Sequence, residues 1–318
     1  MNTSSFIKQF GSWPLAYLTQ QPFLNYFESS HGYIAYKKNA VLGDPVCSPQ
    51  KTELLLKSFT KDYPKACFYH IQNHSAKLLA ELGYYISCIG QEHILKLDQF
   101  KGTWGSHRSL RSGLNKSKRN KVSIIEEPIH DQDHKALQAI HQNWITYREN
   151  PYEQQFLCRP LNFSDEKDCR YFFAYKGNQK IAYYCFTPLY KQNQITGYYA
   201  DNCRYSSSAP NGTCDALLYT ALKEFQSEGV KKVSMGLCPF TKLSLSTYKQ
   251  HPFLETLFKL VYHLNFPRYG YKGISQYTQK FHGETNPIYI ASKGPLPLAN
   301  IFQTWRLTCR HKKSYKPS

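Results

Sequence analysis

Three consecutive β-rich runs constrain this chain more than any other feature: "CRYFFAYKG", "QKIAYYCFTPLY" and "ITGYYADNCR". Gly177–Asn178 joins the first two as a tight hairpin, since two-residue turns favour residues that tolerate positive φ. The third run passes through a polar loop, "SSSAPNG", into an amphipathic helix ending near Gly229, and "KKVSMGLCPF" follows as a strand. A strand meander that feeds a helix and then another strand predicts a mixed α/β architecture, not a helical bundle.

The first half of the sequence repeats the alternation. "GYIAYKK" and "AVLGDP" read as a hairpin ending in a turn at Gly43–Pro45. Ser48 and Pro49 open a helical pattern through "KTELLLKSFTKDY". "KACFYHI" is a strand, "NHSAKLLAELGYY" a helix capped by Asn73 or Ser75 and ended by Gly83, and "HILKL" another strand. No internal repeat is legible. With 318 residues, two domains are expected. The Pro128-containing acidic stretch "EEPIHDQDH" suggests a division into 1–128 and 129–318, and a helix follows with Leu137, Ile140, Trp144 and Tyr147 at three- or four-residue spacing.

Hydrophobic residues make up 41% of the chain, enough for a packed core. The ten cysteines form no CxxC pair and no zinc-type spacing with histidine, so they read as small buried hydrophobes in a reducing compartment. The start lacks the basic-then-apolar pattern of a secretory signal, and no window approaches 18 uninterrupted apolar residues. These features predict a cytoplasmic protein whose membrane contact is peripheral, at the inner face.

The formal charge of +18 asks for an anionic partner. Two segments concentrate it. Residues 101–121 carry seven Lys/Arg and no acid, with Arg108, Arg111, Lys116, Lys118 and Arg119 on a helical pattern; this is either a solvated basic helix or a phosphate-binding one. The tail places Leu298, Ile301, Phe302, Trp305 and Cys309 on one helical face, followed by Arg306, Arg310, Lys312, Lys313 and Lys316. That pattern suits an anionic membrane surface, or equally a terminal helix docked on its own core.

Asp201 and Arg204 end the third β-run, and Asp215 opens the following helix. If the loop folds back, two carboxylates, an arginine and a row of loop N–H groups converge, able to orient an amine or hydroxyl and to stabilise an oxyanion. The plain alternatives are a first-turn acid on the helix dipole for Asp215 and a structural ion pair for Asp201 and Arg204. The loop "APNGTCD" has one glycine where a coenzyme A pyrophosphate loop needs a second small residue, which disfavours coenzyme A.

The block "DNCRYSSSAPNGTCDALLY" resembles the soluble catalytic domain of the lysylphosphatidylglycerol synthase family, through Asp201, Arg204, Ala209, Pro210, Asn211, Gly212 and Asp215. Three further blocks agree in order: "AVLGDPVCSP", "VSMGLCPF" through Gly236 and Pro239, and "YKGISQYTQKFHGETNPIYIAS" through Gly273, Lys280, Phe281, Pro287 and Tyr289; "RSLRSGLNKSKR" fits the family's basic segment at Arg108, Arg111 and Asn115. The resemblance spans residues 30–295. The resemblance is to the family's soluble half, and its membrane-embedded half is not expected within these residues; Cys203 and Cys214 stand in place of methionines, and Ile288 stands where arginine is common.

The resemblance implies two tandem acetyltransferase-like (GNAT) domains, mixed sheets flanked by helices. It implies transfer of an amino acid, lysine or alanine, from aminoacyl-tRNA to a phospholipid such as phosphatidylglycerol, with no metal and no coenzyme A. Asp201 and Asp215 would orient the α-amino group or the acceptor hydroxyl, and Arg204 and Lys280 would neutralise the tRNA terminus or lipid phosphate. Asn211, Gly212, Gly236 and Tyr289 would shape the substrate site. Arg108, Arg111, Lys116, Lys118 and Arg119 would meet tRNA, and Trp305, Arg306, Arg310, Lys312 and Lys313 the membrane. The rival readings are a coenzyme A-dependent N-acyltransferase and a non-catalytic RNA- or membrane-binding protein.

Overall fold

The computed structural model describes residues 3–98, 107–147, 153–160, 162, 166–248, 251–264, 270–281 and 283–310. Its helices are α1 (Thr3–Phe10), α2 (Thr52–Asp62), α3 (Asn73–Glu81), α4 (Arg108–Arg119), α5 (His134–Tyr147), α6 (Thr213–Ser227), α7 (Pro252–Leu264), α8 (Tyr271–Gln279) and α9 (Leu298–Thr308). The strands of the first half are β1 (Asn25–Ser29), β2 (Gly32–Lys37), β3 (Ala40–Leu42), β4 (Val46–Cys47), β5 (Cys67–Ile71) and β6 (Tyr85–Lys96). Those that follow are β7 (Val122–Glu126), β8 (Glu153–Gln154), β9 (Arg170–Lys176), β10 (Gln179–Lys191), β11 (Gln194–Tyr205), β12 (Lys232–Pro239), β13 (Glu284–Ser292) and β14 (Cys309–Arg310).

One mixed sheet runs β1-β2-β3-β5-β13-β6-β12-β11-β10-β9-β7, with β4 paired to β2; β8 and β14 form a separate ribbon. The late strand β13 lies between β5 and β6, and β6 pairs antiparallel with β12. The sheet is therefore continuous across both halves. The division expected at residue 128 falls between β7 and α5, outside any strand.

Each half contains one short parallel pair. In the first, β3 runs beside β5 through Ala40↔Cys67, Val41↔Phe68 and Leu42↔Tyr69. In the second, β11 runs beside β12 through Gly197↔Lys232, Tyr198↔Val233 and Tyr199↔Ser234. Past these pairs the strands part, leaving a wedge in each half. A parallel pair requires a crossover, and α2 and α6 supply it.

Helices cover both faces, which is why β10 is buried along nearly its whole length. On one face, α4 and α6 pack over Phe172, Tyr184, Phe186 and Tyr198, and α2 and α3 over Val41, Phe68 and Tyr289. On the other, α1 packs over Tyr33, Leu42 and Tyr69, and α5 over Tyr171, Phe173 and Tyr183. Phe225 of α6 stacks on Tyr198 at 4.5 Å between ring centroids and is fully buried. Truncating it to alanine would cost about 3–5 kcal/mol.

Most elements lie where the sequence predicts them. The cap of α3 differs: Gln72, in extended backbone, precedes the helix, and neither Asn73 nor Ser75 caps it from that position. The Gln72 N–H instead donates to the Asp44 carboxylate at 3.2 Å, because the "GDP" turn brings that acid alongside.

Candidate active site

Helix α4 is amphipathic in an unusual way. It buries Leu110, Gly113 and Ser117 and turns Arg108, Arg111, Lys116, Lys118 and Arg119 outward. Glycine at its contact face permits a very close approach to the start of α6. A Cβ on Gly113 would lie 2.1 Å from Asp215 Oδ2, and one on Gly212 would lie 2.1 Å from the Gly113 carbonyl oxygen. Gly212 also has φ +98°, which a side chain would strain. The "APNGTCD" loop is thus locked against the basic helix by two glycines.

This contact walls an open cleft of about 700 Å³, lined by His107, Arg108, Ser112, Lys116, Asn211, Gly212, Asp215 and Lys280. Asp215 is buried at its inner end and accepts both contacts from Lys280 Nζ, at 2.9 and 3.1 Å. Burial raises the Asp215 carboxyl above its ordinary range, and the hydrogen bond and charge of Lys280 hold it partly down. An ammonium paired with a buried carboxylate at the amino end of a helix provides a positive floor for an ester or phosphate and a proton donor for a leaving alkoxide.

Asp201 does not join this group. It is the extra residue of a β-bulge, since Cys185 pairs with Asn202 and Phe186 with Ala200. Cys203, beside Tyr184, faces α6, whereas Asn202 and Arg204, beside Cys185 and Tyr183, face α5. The buried Asp201 carboxylate binds Arg159, which also grips Glu166 and the Cys185 sulfur. Burial raises the Asp201 carboxyl, against the pull of Arg159. Arg204 lies over the Trp144 ring, 3.8 Å from its centroid, and donates to Asn202 Oδ1 at 2.7 Å. The expected convergence of Asp201, Arg204 and Asp215 is therefore replaced by two clusters on opposite faces of the sheet. The alternation of side chains across a strand, reset by the bulge, separates them.

On the Asp201 face, between the two wedges, an apolar pocket of about 280 Å³ is lined by Tyr69, His70, Leu157, Tyr199, Leu237 and Ile301 among others, with Trp305 at its edge. Helix α9 turns Ile301 and Thr304 inward and exposes Leu298, Phe302 and Trp305. The single apolar face expected of the tail is thus shared between the pocket and solvent. Helix α7 does the same, burying Leu254 and Phe258 while exposing Phe253, Leu260 and Leu264. Arg306 is exposed; the Arg310 side chain, Lys312 and Lys313 lie outside the described residues. Among those residues no helix is long and apolar enough to cross a membrane.

Two expected substrate residues lie apart from the Asp215 cleft. Tyr289 is buried in the first half against Tyr248. Gly236, with φ +80°, interrupts β12 where a Cβ would meet the Tyr199 ring at 2.9 Å. Sequence reading missed Gly113, Arg159 and Glu166. A glycine inside the basic run of "RSGLNKS" was the available signal for the first; the Arg159 cluster forms only through tertiary contact and leaves no local pattern.

The family model described as "Phosphatidylglycerol lysyltransferase, C-terminal" matches residues 5–292. Phosphatidylglycerol lysyltransferase of Staphylococcus aureus (strain COL) is 22% identical over 96% of this chain, and that of Staphylococcus epidermidis 23% identical over 91%. The chain spans 37% of the length of the first relative and 35% of the second. Among solved structures, the C-terminal domain of a candidate lysylphosphatidylglycerol synthetase from Agrobacterium fabrum superposes with a TM-score of 0.80 at 18% identity, covering 98% of each chain. L-PGS from Bacillus licheniformis superposes with a TM-score of 0.79 at 21% identity, covering 96% of this chain and 95% of its own. FemX gives a TM-score of 0.59 at 9% identity, over 95% of this chain and 98% of its own. These likenesses establish the fold, a mixed α/β sheet flanked by helices, and the family match establishes membership: the chain belongs to the phosphatidylglycerol lysyltransferase C-terminal family.

Proposed function

We propose that this chain transfers an aminoacyl group from tRNA to a hydroxyl of a phospholipid, with phosphatidylglycerol as the acceptor class and lysine or alanine as the amino acid. The observation that carries the reading is the pairing of a cationic cleft on one face of the sheet with an apolar pocket on the other. A tRNA terminus needs the first, because phosphate contacts dominate its affinity. A lipid acyl chain needs the second.

The aminoacyl ester is already activated, so the enzyme's work is positioning and charge stabilisation. The acceptor hydroxyl attacks the ester carbonyl carbon, the tetrahedral oxyanion forms, and the ribose oxygen of tRNA leaves with a proton. Lys280, held by Asp215, stabilises the oxyanion or protonates the leaving oxygen. Asn211 and Gly212 shape the loop around the terminal nucleotide. Arg108, Arg111, Lys116, Lys118 and Arg119 carry the tRNA backbone. On the opposite face, the Asp201–Arg159–Glu166 cluster places Arg204 to orient the lipid phosphate, and Gly236 and Tyr289 support their strands. Leu298, Phe302 and Trp305, with the basic residues Arg306, Arg310, Lys312 and Lys313, set the chain on an anionic membrane surface from the cytoplasmic side.

The test is incubation with a labelled aminoacyl-tRNA pool and mixed lipid vesicles. An RNase-sensitive labelled lipid supports the proposal. Acyl transfer that requires acetyl-coenzyme A and ignores RNase replaces it with the N-acyltransferase reading. Salt-dependent tRNA binding with no loss of the ester replaces it with a binding protein.

A further inference from the structure

Cys203 and Cys214 flank the loop that walls the cationic cleft. Cys203 lies two residues before the end of β11, on the α6 side of the sheet, and Cys214 is the second residue of α6. Their sulfurs are 3.3 Å apart, with Cys203 donating its S–H to Cys214. Both side chains are partly exposed. That hydrogen bond, and then burial, hold the Cys203 thiol above its ordinary range, and Cys214, the acceptor of the bond, is taken as the attacking sulfur. A disulfide needs the two sulfurs about 2 Å apart, so closure asks for a shift of roughly 1.3 Å.

We propose that Cys203 and Cys214 form a reversible disulfide, closed by a peroxide, that pins the amino end of α6 to β11 and locks the intervening loop. The Cys214 thiolate attacks a peroxide oxygen, hydroxide leaves and takes up a proton as water, and a sulfenic acid forms. The Cys203 thiol loses its proton and attacks that sulfur, and a second water leaves. Two thiols give up two electrons and hydrogen peroxide accepts them. The loop tied by the bond contains Asn211 and Gly212, and Gly212 already lies against Gly113 with no room for a Cβ. A link at this point removes the remaining freedom of the cleft wall and depends on no assumption about the reaction catalysed there.

The sequence makes the test direct. Trypsin cuts after Lys191, Arg204 and Lys223, so residues 192–204 carry Cys203 alone and residues 205–223 carry Cys214 alone. The intact protein is treated with hydrogen peroxide, free thiols are trapped with N-ethylmaleimide, and the digest is analysed without reductant. The expected product is the two fragments joined, and separated again by dithiothreitol. Amide hydrogen exchange over residues 206–212 should slow at least about tenfold in the oxidised protein, the sign of suppressed local opening. Cys214→Ser, which leaves Cys203 in place, should lose the product; Cys203→Ser is the second control. Recovery of both fragments as maleimide adducts, or of a sulfinic acid without the link, overturns the proposal. A link that leaves loop exchange unchanged overturns the locking.

Discussion

The two wedges of the sheet begin alike and end differently. Both open after three parallel residue pairs, and in each the second strand then carries a left-handed residue, His70 at φ +62° in the first half and Gly236 at φ +80° in the second. In the first half the gap is filled. Gly43, just past β3, lies against the Trp13 ring, where a Cβ would come within 2.2 Å, and Asp44 bridges to the Gln72 N–H. In the second half β11 bulges at Asp201 instead, and the crossover to α6 borders an open cationic cleft, with an apolar pocket on the other side. The cationic cleft belongs to the second half alone, whereas the apolar pocket is lined from both, by Tyr69 and His70 as well as Tyr199 and Leu237. The local difference lies in which ring meets the left-handed glycine: Trp13, from residues ahead of β1, stands against Gly43 in the first half, and Tyr199, from β11 itself, against Gly236 in the second.

The largest expected contrast comes from matched glycine substitutions. Gly212→Ala sets a Cβ against backbone at 2.1 Å and should displace α4 from α6. We expect a loss of about 3 kcal/mol and at least a thousandfold fall in transfer per folded molecule. Gly43→Ala meets a side chain in the filled wedge and should cost about 2–3 kcal/mol while transfer per folded molecule stays within about twofold. Urea unfolding and single-turnover kinetics on both variants separate the two. Equal activity losses would mean that the halves do not differ in role.

Titration of the filled wedge gives the next effect. Burial pushes the Asp44 carboxyl up to about 6 from 3.8, and pushes the His70 imidazole down to about 4 from 6.5. Between pH 4 and 6 the folded chain holds a proton on Asp44 that the unfolded chain has lost, so this group lowers stability as pH rises. Between pH 4 and 6.5 the unfolded chain holds a proton on His70 that the folded chain lacks, so this group raises stability as pH rises. The two slopes oppose. Asp44→Asn, which keeps an acceptor for Gln72, should unmask a gain of about 3 kcal/mol from pH 4 to 6.5. His70→Asn, a residue that tolerates positive φ, should unmask a fall of about 2 kcal/mol, reduced because Asp44 keeps some contact with solvent. Denaturant midpoints across that range check both signs.

In the open half, Lys280→Met should lower kcat/KM about a hundredfold and cost little stability, since Asp215 can then take a proton. The pH profile is the diagnostic readout: with its cation gone, the Asp215 carboxyl rises further, and any rate step that depends on it moves to higher pH. The smallest effect is electrostatic. Replacing Arg111 and Lys118 with alanine should weaken tRNA binding several-fold and reduce the salt dependence by about one to two ions, leaving the first half untouched.

Much of this organisation was legible beforehand because it is local. The meander at residues 169–205, the glycine turns at 43, 177 and 229, and the helix after "APNGTCD" follow from backbone preference and periodicity. Lys280 was marked by the family resemblance, and its partnership with Asp215 came from the fold. The separation of Asp201 from Asp215 was hidden, since a one-residue bulge decides which face each side chain takes. The placement of β13 between strands of the first half, and the Arg159 cluster, arise from contacts between residues far apart in the chain. Asp201 itself sits in a buried ion pair with Arg159, so Asp201→Asn would leave Glu166 as the carboxylate that holds the guanidinium and would cost stability.

The central claim is that the open half moves an aminoacyl group from tRNA to a lipid. The most direct measurement uses a pool of charged tRNAs with labelled amino acids and vesicles of anionic phospholipid, followed by lipid extraction with and without prior RNase. The account predicts a labelled lipid that disappears after RNase and is formed by Gly43→Ala but not by Gly212→Ala. Unlabelled lipid, with the aminoacyl ester intact on tRNA for every amino acid in the pool, would contradict it.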